Sequence, residues 1–469
     1  MLVSLSDFLW GKVLIVLLIG IGGYLTIASR FVQFRYFARM FAVLRAGTRH
    51  EEGHVSSFQA LVVSVAGRVG GGNIAGVAVA ISLGGPGAVF WMWIIGLMGM
   101  ATSFFECSLA QLFKQSEGDG TYRGGPAYYL TKGIHQRGLA LLYSVLLLIT
   151  FGFGFNAVQS YVVATSLQDS FGLPTWVSGV ALVAVLGFVV FGGIKRIAAV
   201  AEIVVPLMAL GYLLAALAVI ALNVSELPRV FMQIISSAFG LESAIGGGIG
   251  VAIMQGVKRG LFSNEAGLGS APNVAAVAHV AHPANQGIVQ AFSVFIDTLL
   301  MCSCTAFIIL LSDVYTPGSI DGSGVALTQN ALAGHLGSWG GTFVSIALVL
   351  FAFSSIMYNY YLGENSLNFF SEFLGIGKRT LFISFRTLVL VLVFWGAAQD
   401  LGTVFGFADL TMGLLGVVNL IGLVWMSKLA LRLLADFDKQ VASGLEPRLR
   451  AEDYSDLDID DNAWPRATD

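Results

Sequence analysis

The sequence predicts an all-α polytopic membrane protein of about eleven transmembrane helices, ten of them in two inverted repeats of five. Hydrophobic residues make up 56% of the 469 residues and charged residues only 11%, with a mean hydropathy of +0.80. Soluble domains carry about 25% charged residues. Apolar stretches of about 20 residues, the length that crosses a bilayer, recur along the chain. Two of these stretches contain glycine clusters.

The first element, residues 1–30, is a short lead-in followed by an apolar run from Val13 to Ala28. It has no small-residue cleavage site followed by a soluble domain, so we expect a retained membrane span and not a signal peptide. Counting about 20 apolar residues per crossing gives the remaining spans. Numbered in chain order, the predicted spans are residues 13–28, 58–83, 88–113, 139–167, 175–192, 198–222, 240–262, 284–311, 341–362, 381–397 and 404–432.

The distribution of basic residues predicts the orientation of these spans. The loop at 31–57 is rich in arginine, and the positive-inside rule places it in the cytoplasm. Every second loop after it also carries lysine or arginine, including Lys258 and Arg259 after span 7. Of the 25 basic residues only Lys12 and Arg229 fall on the other side. The N-terminus is therefore predicted outside and the C-terminus inside.

The charge, the cysteine content and the absence of certain motifs exclude several other classes of protein. The acid-rich tail at 434–469 is expected to be cytoplasmic and partly disordered, and no basic block indicates nucleic-acid binding. The cysteines at 107, 302 and 304 lie in apolar segments, so they form neither a disulfide framework nor a zinc site. Neither a phosphate loop nor an HExxH motif is present. We therefore predict a protein that is not an enzyme and needs no cofactor.

The stretch from Val65 to Ala78, VAGRVGGGNIAGVA, lies within span 2. Its glycine cluster, Gly70 to Gly72, interrupts the helix, because each glycine in a helix interior costs about 1 kcal/mol. Freed backbone groups cannot face lipid and must line an enclosed cavity or bind something. Span 2 is therefore predicted to be a broken helix that forms part of a binding site.

A second glycine cluster, Gly246 to Gly248, interrupts span 7, five spans after the first. Spans 2–6 (58–222) and spans 7–11 (223–433) then form two sets that each open with a broken helix. An odd number of spans per set forces opposite orientations, the pattern of an inverted repeat with substrate and ion bound at the midplane. The alternative is that the glycines only permit close helix packing.

Longer motifs add a family resemblance. The segments GRVGGGNIAGVAVAI, RGGPAYYL, GVKRGLFSNEAGLGSAPN, QGIVQAFSVFIDTL and LFAFSSI, spread over 31–361, resemble the alanine or glycine:cation symporter family, the sodium:alanine symporters. That family is similar in fold to LeuT-type transporters with one extra N-terminal helix. The resemblance implies sodium-coupled import of alanine or glycine across the cell membrane, with Na⁺ as the coupling ion and the lipid bilayer as surroundings.

For the substrate, the amides of Gly70, Gly71 and Gly72 and the start of the following half-helix favour a carboxylate. Carbonyls of the second break, at Gly246, Gly247 and Gly248, are expected to bind the ammonium group. The resemblance adds Gln159 on span 4 and Asn73, for which two roles stay open: contact with ion or substrate, or pinning of the unwound backbone. It also adds Asn359, where some members carry Trp.

For sodium, the resemblance to LeuT-type sites implies carbonyls near Ala66 and Val69 together with the hydroxyls of Ser354 and Ser355 on span 9. Adjacent hydroxyls on an apolar helix are hard oxygen ligands that suit sodium. The alternative is that both serines bond back to carbonyls of their own helix.

Charged residues inside membrane spans are functional candidates by default. Arg68 sits inside the first break, where much of the family has a small polar residue. Three roles stay open: to neutralise Asp297 in span 8 or Glu106 in span 3, to replace a cation, or to point into cytoplasmic water; structural pairing is favoured.

The segment SNEAGLGSAP, which contains Asn264, Glu265 and Gly267, is expected to leave span 7 on the cytoplasmic side and to form part of an inner gate. A purely structural loop is the alternative.

Two rival functions stay open at this point. A channel would share the hydropathy and irregular backbone, although channels usually build their filter by oligomeric symmetry. The closer rival is a proton-coupled or sodium-coupled LeuT-type carrier of another small amino acid, such as serine or a D-amino acid.

Overall fold

The structure is a computed structural model that describes residues 6, 8–47, 54–118, 120–240, 248–315, 324–375 and 377–465. A helix lies at each predicted span position. Eight described helices are long and apolar enough to cross a membrane, or nine if the two halves of span 2 count as one. The helices at spans 5 and 7 are shorter, so the number of eleven spans stays a prediction. In span order the helices are Leu9–Ala28, Ser57–Arg68 with Gly72–Gly84, Gly87–Leu112, Arg137–Phe171, Thr175–Val190, Gly193–Leu222, Gly248–Asn264, Pro283–Leu310, Ser338–Leu374, Lys378–Ala397 and Leu401–Trp425.

Shorter elements connect the spans. A two-stranded antiparallel hairpin, Gln115–Ser116 with Tyr122–Arg123, follows span 3. The shorter helices are Val32–Arg35, Phe37–Gly47, Pro126–Lys132, Val224–Glu226, Leu227–Ala238, Ser270–Ala275, Val325–Leu336, Ser427–Ala442 and Ala451–Tyr454.

Local signals explain where some helices begin and where they widen. Ser56 Oγ accepts a hydrogen bond from Gln59 N (3.1 Å), and Ser56 N donates to Gln59 Oε1 (3.1 Å), a reciprocal cap that starts span 2. Wider π-helical turns interrupt the middle of three spans, at Gly72–Gly76, Leu148–Phe155 and Phe295–Cys302. Such turns often occur at functional positions, and all three lie around the site described below.

The C-terminal segment is folded over its described part. Residues 446–465 pack back on the bundle, where Trp464 Nε1 donates to Gln111 O (3.2 Å) and Leu449 N donates to Ala281 O (2.8 Å). Trp464 is only 6% exposed. The expectation of a partly disordered tail is wrong for these residues, because buried apolar side chains anchor an otherwise acidic stretch. We call the side of the bundle that carries this segment the tail face; it is the side predicted to be cytoplasmic.

Span 7 runs parallel to span 3, and the contacts between these two helices show at which depth of the bundle span 7 is broken. Gly256 packs against Ala88 near the end of span 3 that lies away from the tail face, and Ala266 packs against Gly99 near its middle. Residues 265–269, which separate the two helical halves of span 7, therefore lie in the middle of the bundle.

The predicted position of the second break is therefore wrong. Gly248 is the first residue of the helix Gly248–Asn264, so it lies a whole half-helix away from the middle of the bundle. Gly246 and Gly247 lie outside the described residues. The helix ends instead at Asn264, because the backbone of the following residues turns away from helical geometry.

Lys258 and Arg259 also lie elsewhere than expected. They belong to the half of span 7 that precedes the break, on the side away from the tail face, and not to a loop on that face. The prediction that these two residues belong to a cytoplasmic loop is therefore wrong.

Candidate functional site

The break in span 2 is where the sequence places it. The half-helix Ser57–Arg68 is followed by Val69 as its C-cap residue, and the second half, Gly72–Gly84, is bent from it by 49°. Gly70 N donates to Asn73 Oδ1 (2.9 Å), and Gly71 N donates to Gln159 Oε1 (3.0 Å). Two freed amides of the break are therefore held by side-chain oxygens, which are the kind of acceptor that a substrate carboxylate also offers.

Close packing explains why glycine occupies these positions. A Cβ added to Gly70 would lie 2.3 Å from Ser355 Oγ and 3.0 Å from Gln159 Nε2. A Cβ on Gly71 would lie 2.9 Å from Gln159 Oε1, and one on Gly72 would lie 2.9 Å from the Phe262 ring. The break thus brings the backbone of span 2 against side chains of spans 4, 7 and 9.

The two serines of span 9 face the broken end of span 2. Ser354 Oγ donates to Ala66 O (3.2 Å), and Ser355 Oγ donates to Ala66 O (3.0 Å) and to Gly67 O (3.2 Å). Both hydroxyls also reach Phe351 O on their own helix, at 2.8 and 3.0 Å. The helix-capping carbonyls and the hydroxyls therefore converge, and the back-bonding alternative occurs as well. The Gly67 carbonyl was not among the predicted ligands.

Val69 is the remaining predicted sodium ligand. It is fully buried at the end of the first half-helix, and its N–H donates to Val65 O (2.7 Å). Neither Ser354 nor Ser355 donates to its carbonyl, so its place in the ion site stays a prediction.

The second break lies beside the first. Glu265, Gly267 and Gly269 have φ values of 57°, 92° and 80°, a left-handed region that interrupts a helix. Glu265 Oε2 accepts hydrogen bonds from Ser270 Oγ (2.6 Å) and from Tyr358 OH (3.0 Å). Asn264 Oδ1 caps the turn by accepting from Ala266 N (2.9 Å).

The predicted gate residues therefore have a different place. Asn264, Glu265 and Gly267 are buried in the middle of the bundle and do not form a loop at the tail face. The sequence signal was available in the spacing of glycines in NEAGLG, but the longer run at 246–248 is the more conspicuous pattern.

Asp297 joins spans 7 and 8 to the first break. Its carboxylate accepts from Asn73 Nδ2 (2.6 Å), Ser263 Oγ (2.8 and 3.0 Å) and Thr298 Oγ1 (2.7 Å). Every one of these donors is neutral and buried. The result is a buried carboxylate held by two hydroxyls and one amide N–H; Ser263 and Thr298 were not predicted.

Glu106 on span 3 supports the second break. It accepts from Gly267 N (3.2 Å) and from Asn419 Nδ2 (3.0 Å), and Asn419 also donates to Gly267 O (2.9 Å). Glu106 and Asn419 together satisfy both backbone groups of Gly267.

Arg68 ends the first half of span 2 and is only 1% exposed. Its Nη1 donates to Gln290 O (3.1 Å) and to Ser293 Oγ, and its Nη2 donates to Ser103 Oγ (2.9 Å). Among the described residues it forms no ion pair, so the favoured pairing with Asp297 or Glu106 is wrong. Because it is buried, it does not point into water either. Its charge still attracts Glu106, Glu265 and Asp297 from a distance.

Three stacked aromatic rings lie beside the first break, where Phe262 is next to Gly72. Phe262 stacks on Phe155 (4.7 Å between ring centroids) and on Phe405 (5.5 Å). We call these three residues the aromatic lid. No local sequence pattern indicates this cluster, because its members come from spans 4, 7 and 11.

A buried ion pair lies on the aromatic lid. Arg259 Nη1 and Nη2 donate to Asp409 Oδ1 (3.2 Å) and Oδ2 (2.9 Å), and Lys258 Nζ lies 2.7 Å from Asp409 Oδ2. The Arg259 guanidinium is 5.7 Å from the Phe262 ring and 5.2 Å from the Phe405 ring. This pair holds spans 7 and 11 together above the site.

The tail face is closed by a different contact. Val55, just before span 2, forms a parallel bridge with Ala278, just after the second half of span 7. His279 N donates to Val55 O (2.9 Å). Both broken spans are thus clasped to one another on this side, and the breaks are enclosed from both directions.

Comparison with known proteins identifies the family. The sequence model of the Sodium:alanine symporter family matches residues 1–451. The chain belongs to this family. Among its relatives are the probable sodium/glutamine symporter GlnT of Bacillus subtilis, 46% identical over 94% of this chain and 91% of that protein, and the amino-acid carrier protein AlsT of the same organism, 46% identical over 96% and 95%. The sodium/alanine symporter AgcS of Methanococcus maripaludis is 38% identical over 90% of this chain and 94% of that protein.

Solved structures confirm the fold class. The chain is similar to MhsT, solved in complex with L-phenylalanine, with a TM-score of 0.51 over 82% of this chain and 99% of that chain. It is also similar to a Na⁺-coupled sialic acid symporter, with a TM-score of 0.50 over 85% and 82%. Both are 13% identical to this chain, so the likeness concerns the fold alone. The predicted all-α LeuT-type membrane fold is confirmed.

Membership of a symporter family makes this chain a multi-pass membrane transporter and not an enzyme. It supports sodium-coupled amino-acid symport, with Na⁺ as the coupling ion.

Proposed function

We propose that this protein imports alanine and glycine across the cell membrane, coupled to sodium entry, by alternating access. The observation that carries the proposal is the meeting of two broken spans in the middle of the bundle, where the hydroxyls of Ser354 and Ser355 reach the carbonyls of Ala66 and Gly67. Carbonyl and hydroxyl oxygens at the negative end of a half-helix suit a cation. This convergence supports a sodium site within the first break.

The substrate carboxylate would bind at the positive end of the second half of span 2. Gly70 N and Gly71 N already hold side-chain oxygens of Asn73 and Gln159, so an incoming carboxylate oxygen would replace Gln159 Oε1 on Gly71 N. Gln159 would then turn its amide to the substrate, since a neutral amide can both donate and accept.

The ammonium group needs a different site from the one first predicted, because Gly248 lies far from the middle of the bundle. The helix Gly248–Asn264 ends at the second break, and its last carbonyls carry the negative end of the helix dipole. We place the ammonium group there, close to the Glu265 carboxylate.

Alternating access would use the contacts that close the two sides. Release of the Arg259 and Asp409 pair would open the site away from the tail face, and release of the Val55 and Ala278 bridge would open it towards the tail face. With the N-terminus outside and the C-terminus inside, these are the extracellular and cytoplasmic gates.

Proton coupling is the second candidate, and the three buried carboxylates favour it. Glu106, Glu265 and Asp297 are each fully or almost fully buried and bonded to neutral donors, with Arg68 as the nearby positive charge. A carboxylate held without an ion pair in a membrane interior is a candidate proton carrier.

The deciding experiment is uptake of labelled alanine and glycine into proteoliposomes under an imposed sodium gradient, a proton gradient, or neither. Accumulation driven by sodium alone supports the proposal. Accumulation driven only by a proton gradient would support an amino-acid carrier but reject sodium as its coupling ion. If neither gradient drives accumulation of either amino acid, alanine and glycine are rejected as the substrates.

A further inference from the structure

The C-terminal segment, residues 446–465, crosses the tail face and is attached there to three separate elements. The attachments are three hydrogen bonds: Leu449 N to Ala281 O (2.8 Å), Ser116 N to Asp460 Oδ2 (2.8 Å) and Trp464 Nε1 to Gln111 O (3.2 Å). Ala281 lies in the loop before span 8, Ser116 in the hairpin after span 3, and Gln111 near the end of span 3. The segment is therefore positioned to act on the contacts that close this side.

Trp464 lies against the two side chains that hold one half of the tail-face contact. Gln111 Nε2 donates to Ala278 O (2.9 Å), and Lys114 Nζ donates to the same carbonyl (3.0 Å). The Trp464 ring is 4.5 Å from Lys114 Nζ. Gln111 and Lys114 are 0% and 1% exposed, so little water reaches these two bonds. Ala278 is the residue that forms the bridge with Val55, so Trp464 supports that bridge through Gln111 and Lys114.

The segment also covers the seam between the two broken spans. A cavity of about 570 Å³ lies beneath it. Both sides of the seam and the segment line this cavity: Val43 and Ser57 on the side of span 2, His279 and Asn285 on the side of span 8, and Leu449 and Trp464 from the segment. Separation of Val55 from Ala278 would move the two walls apart beneath the segment. Opening of the tail face would therefore strain or displace the segment.

Exposed contacts hold the middle of the segment. Arg432 Nη1 lies 2.8 Å from Asp456 Oδ2, and these side chains are 45% and 59% exposed. The Arg432 guanidinium is also 4.7 Å from the Tyr454 ring. Ion pairs between exposed side chains contribute little to stability and are screened by salt. A segment held largely by such contacts and by one inserted tryptophan ring can detach while the helices beneath it stay folded.

We propose that the C-terminal segment is an autoinhibitory latch on the tail-face gate. While Trp464 is seated, it stabilises the closed bridge between Val55 and Ala278. When the segment detaches, water reaches Gln111 and Lys114 and competes for their bonds to the Ala278 carbonyl, so the gate opens faster. Opening of this gate limits the transport cycle in this account, as lid opening limits many enzymes. The inference rests on the proposed function, because it concerns the gate through which the substrate would leave.

The test is the maximal rate of sodium-driven alanine uptake into proteoliposomes that hold equal amounts of folded native protein, Trp464→Leu or Trp425→Leu. Trp425 is the matched control, a tryptophan at the end of span 11 that is 60% exposed. We expect Trp464→Leu to be at least threefold faster than the native protein and Trp425→Leu to keep the native rate. A purely structural anchor predicts the opposite sign, a loss of both stability and uptake. An equal or lower rate in folded Trp464→Leu would overturn the inference.

A second variant leaves the buried anchor in place. Arg432→Gln removes the exposed pair with Asp456 and should speed uptake about twofold, whereas Arg229→Gln, which removes the exposed pair with Glu226 (2.6 Å), should not. If Trp464→Leu does not fold, equal rates in these two variants overturn the inference. If the native protein and all variants lack sodium-driven uptake, the proposed function fails and the latch with it. If the native protein transports and neither Trp464→Leu nor Arg432→Gln is faster, only the latch fails.

Discussion

Asn73 Nδ2 lies 2.6 Å from Asp297 Oδ1, so the break of span 2 is in direct contact with a buried carboxylate of span 8. The same amide accepts from Gly70 N through Oδ1. One side chain thus fixes the unwound backbone relative to Asp297. Any movement of a cation or proton at Asp297 therefore acts directly on the amides proposed to bind substrate.

Replacing Asp297 by Asn tests whether this carboxylate contributes to cation binding. Removal of its negative charge should raise the sodium concentration for half-maximal uptake about 10- to 100-fold, since hydrogen bonds and contacts to charged groups are worth about 1.5–3 kcal/mol. Asp313→Asn, an exposed acid after span 8, is the matched control and should behave as the native protein. Equal sodium dependence in Asp297→Asn and the control would show that Asp297 has no part in cation coupling.

Glycine at position 71 should be required for substrate binding. In Gly71→Ala the new Cβ would meet Gln159 Oε1 at 2.9 Å, so Gln159 must leave the Gly71 amide. We expect roughly tenfold weaker apparent substrate affinity. Gly76→Ala is the control in the same half-helix, because its Cβ would have only an ordinary contact, 3.9 Å from Arg259 Cδ. The kinetics of the two variants are compared at equal expression, and similar defects in both would argue for a general effect on the helix.

Breaking the pair of Arg259 and Asp409 should open the side away from the tail face. Asp409→Asn leaves Arg259 and Lys258 without their shared carboxylate, whereas Lys258→Met keeps the bidentate bond. Removing one partner of a buried pair is strongly destabilising for the state that contains it. The measurement is the rate at which an impermeant maleimide labels Thr165→Cys, in a cavity of about 230 Å³ beside Val162 on that side.

Labelling should be at least fivefold faster with Asp409→Asn than with Lys258→Met, which corresponds to a shift of about 1 kcal/mol. The three native cysteines should add little to the maleimide labelling, because all three are buried. Equal rates in both backgrounds would mean that this pair does not control access.

The C-terminal segment should make stability depend on pH through Lys114. Lys114 Nζ lies 4.1 Å from the Tyr122 ring and 4.5 Å from the Trp464 ring, and it donates to Ala278 O (3.0 Å). Burial lowers the pKa of Lys114 from 10.5 to about 7. Between these two pKa values the unfolded chain binds one more proton than the folded chain, so the free energy of unfolding should rise as the pH increases from 7 towards 10.

Melting temperatures of the detergent-solubilised protein at several pH values measure this effect, and Lys114→Met should lack this component. Trp464→Leu should reduce it, because the smaller side chain lets water reach the amine and brings the pKa of Lys114 back towards its ordinary value. A pH profile that is the same in the native protein and Lys114→Met would contradict the assignment.

The sequence predicted the first break because three consecutive glycines in an apolar stretch have no other simple explanation. It misplaced the second break, since Gly267 and Gly269 are separated by Leu268 and look like an ordinary turn, while the run at 246–248 imitates the first cluster. Ser354 and Ser355 were predicted only through the family resemblance. Arg259 and Asp409 are 150 residues apart, so no local pattern could have paired them.

Arg68 shows that the partner of a buried charge is also hard to predict from the sequence. A buried arginine between acidic spans predicts an ion pair, yet its Nη1 and Nη2 donate to Gln290, Ser293 and Ser103, and its Nε has no partner among the described residues. Neutral oxygens that complete such a network do not stand out in a sequence. The side chains around a site are therefore less predictable than the backbone feature that creates it.

The most direct test of the account is the sodium dependence of alanine uptake into proteoliposomes by Ser355→Ala. Ser366→Ala is the control, a buried serine of the same helix whose hydroxyl has no partner among the described residues. We expect Ser355→Ala to need at least tenfold more sodium for half-maximal uptake, because it loses a ligand that faces Ala66 and Gly67. Ser366→Ala should keep the native value. An unchanged sodium dependence in Ser355→Ala would contradict a sodium site between spans 2 and 9.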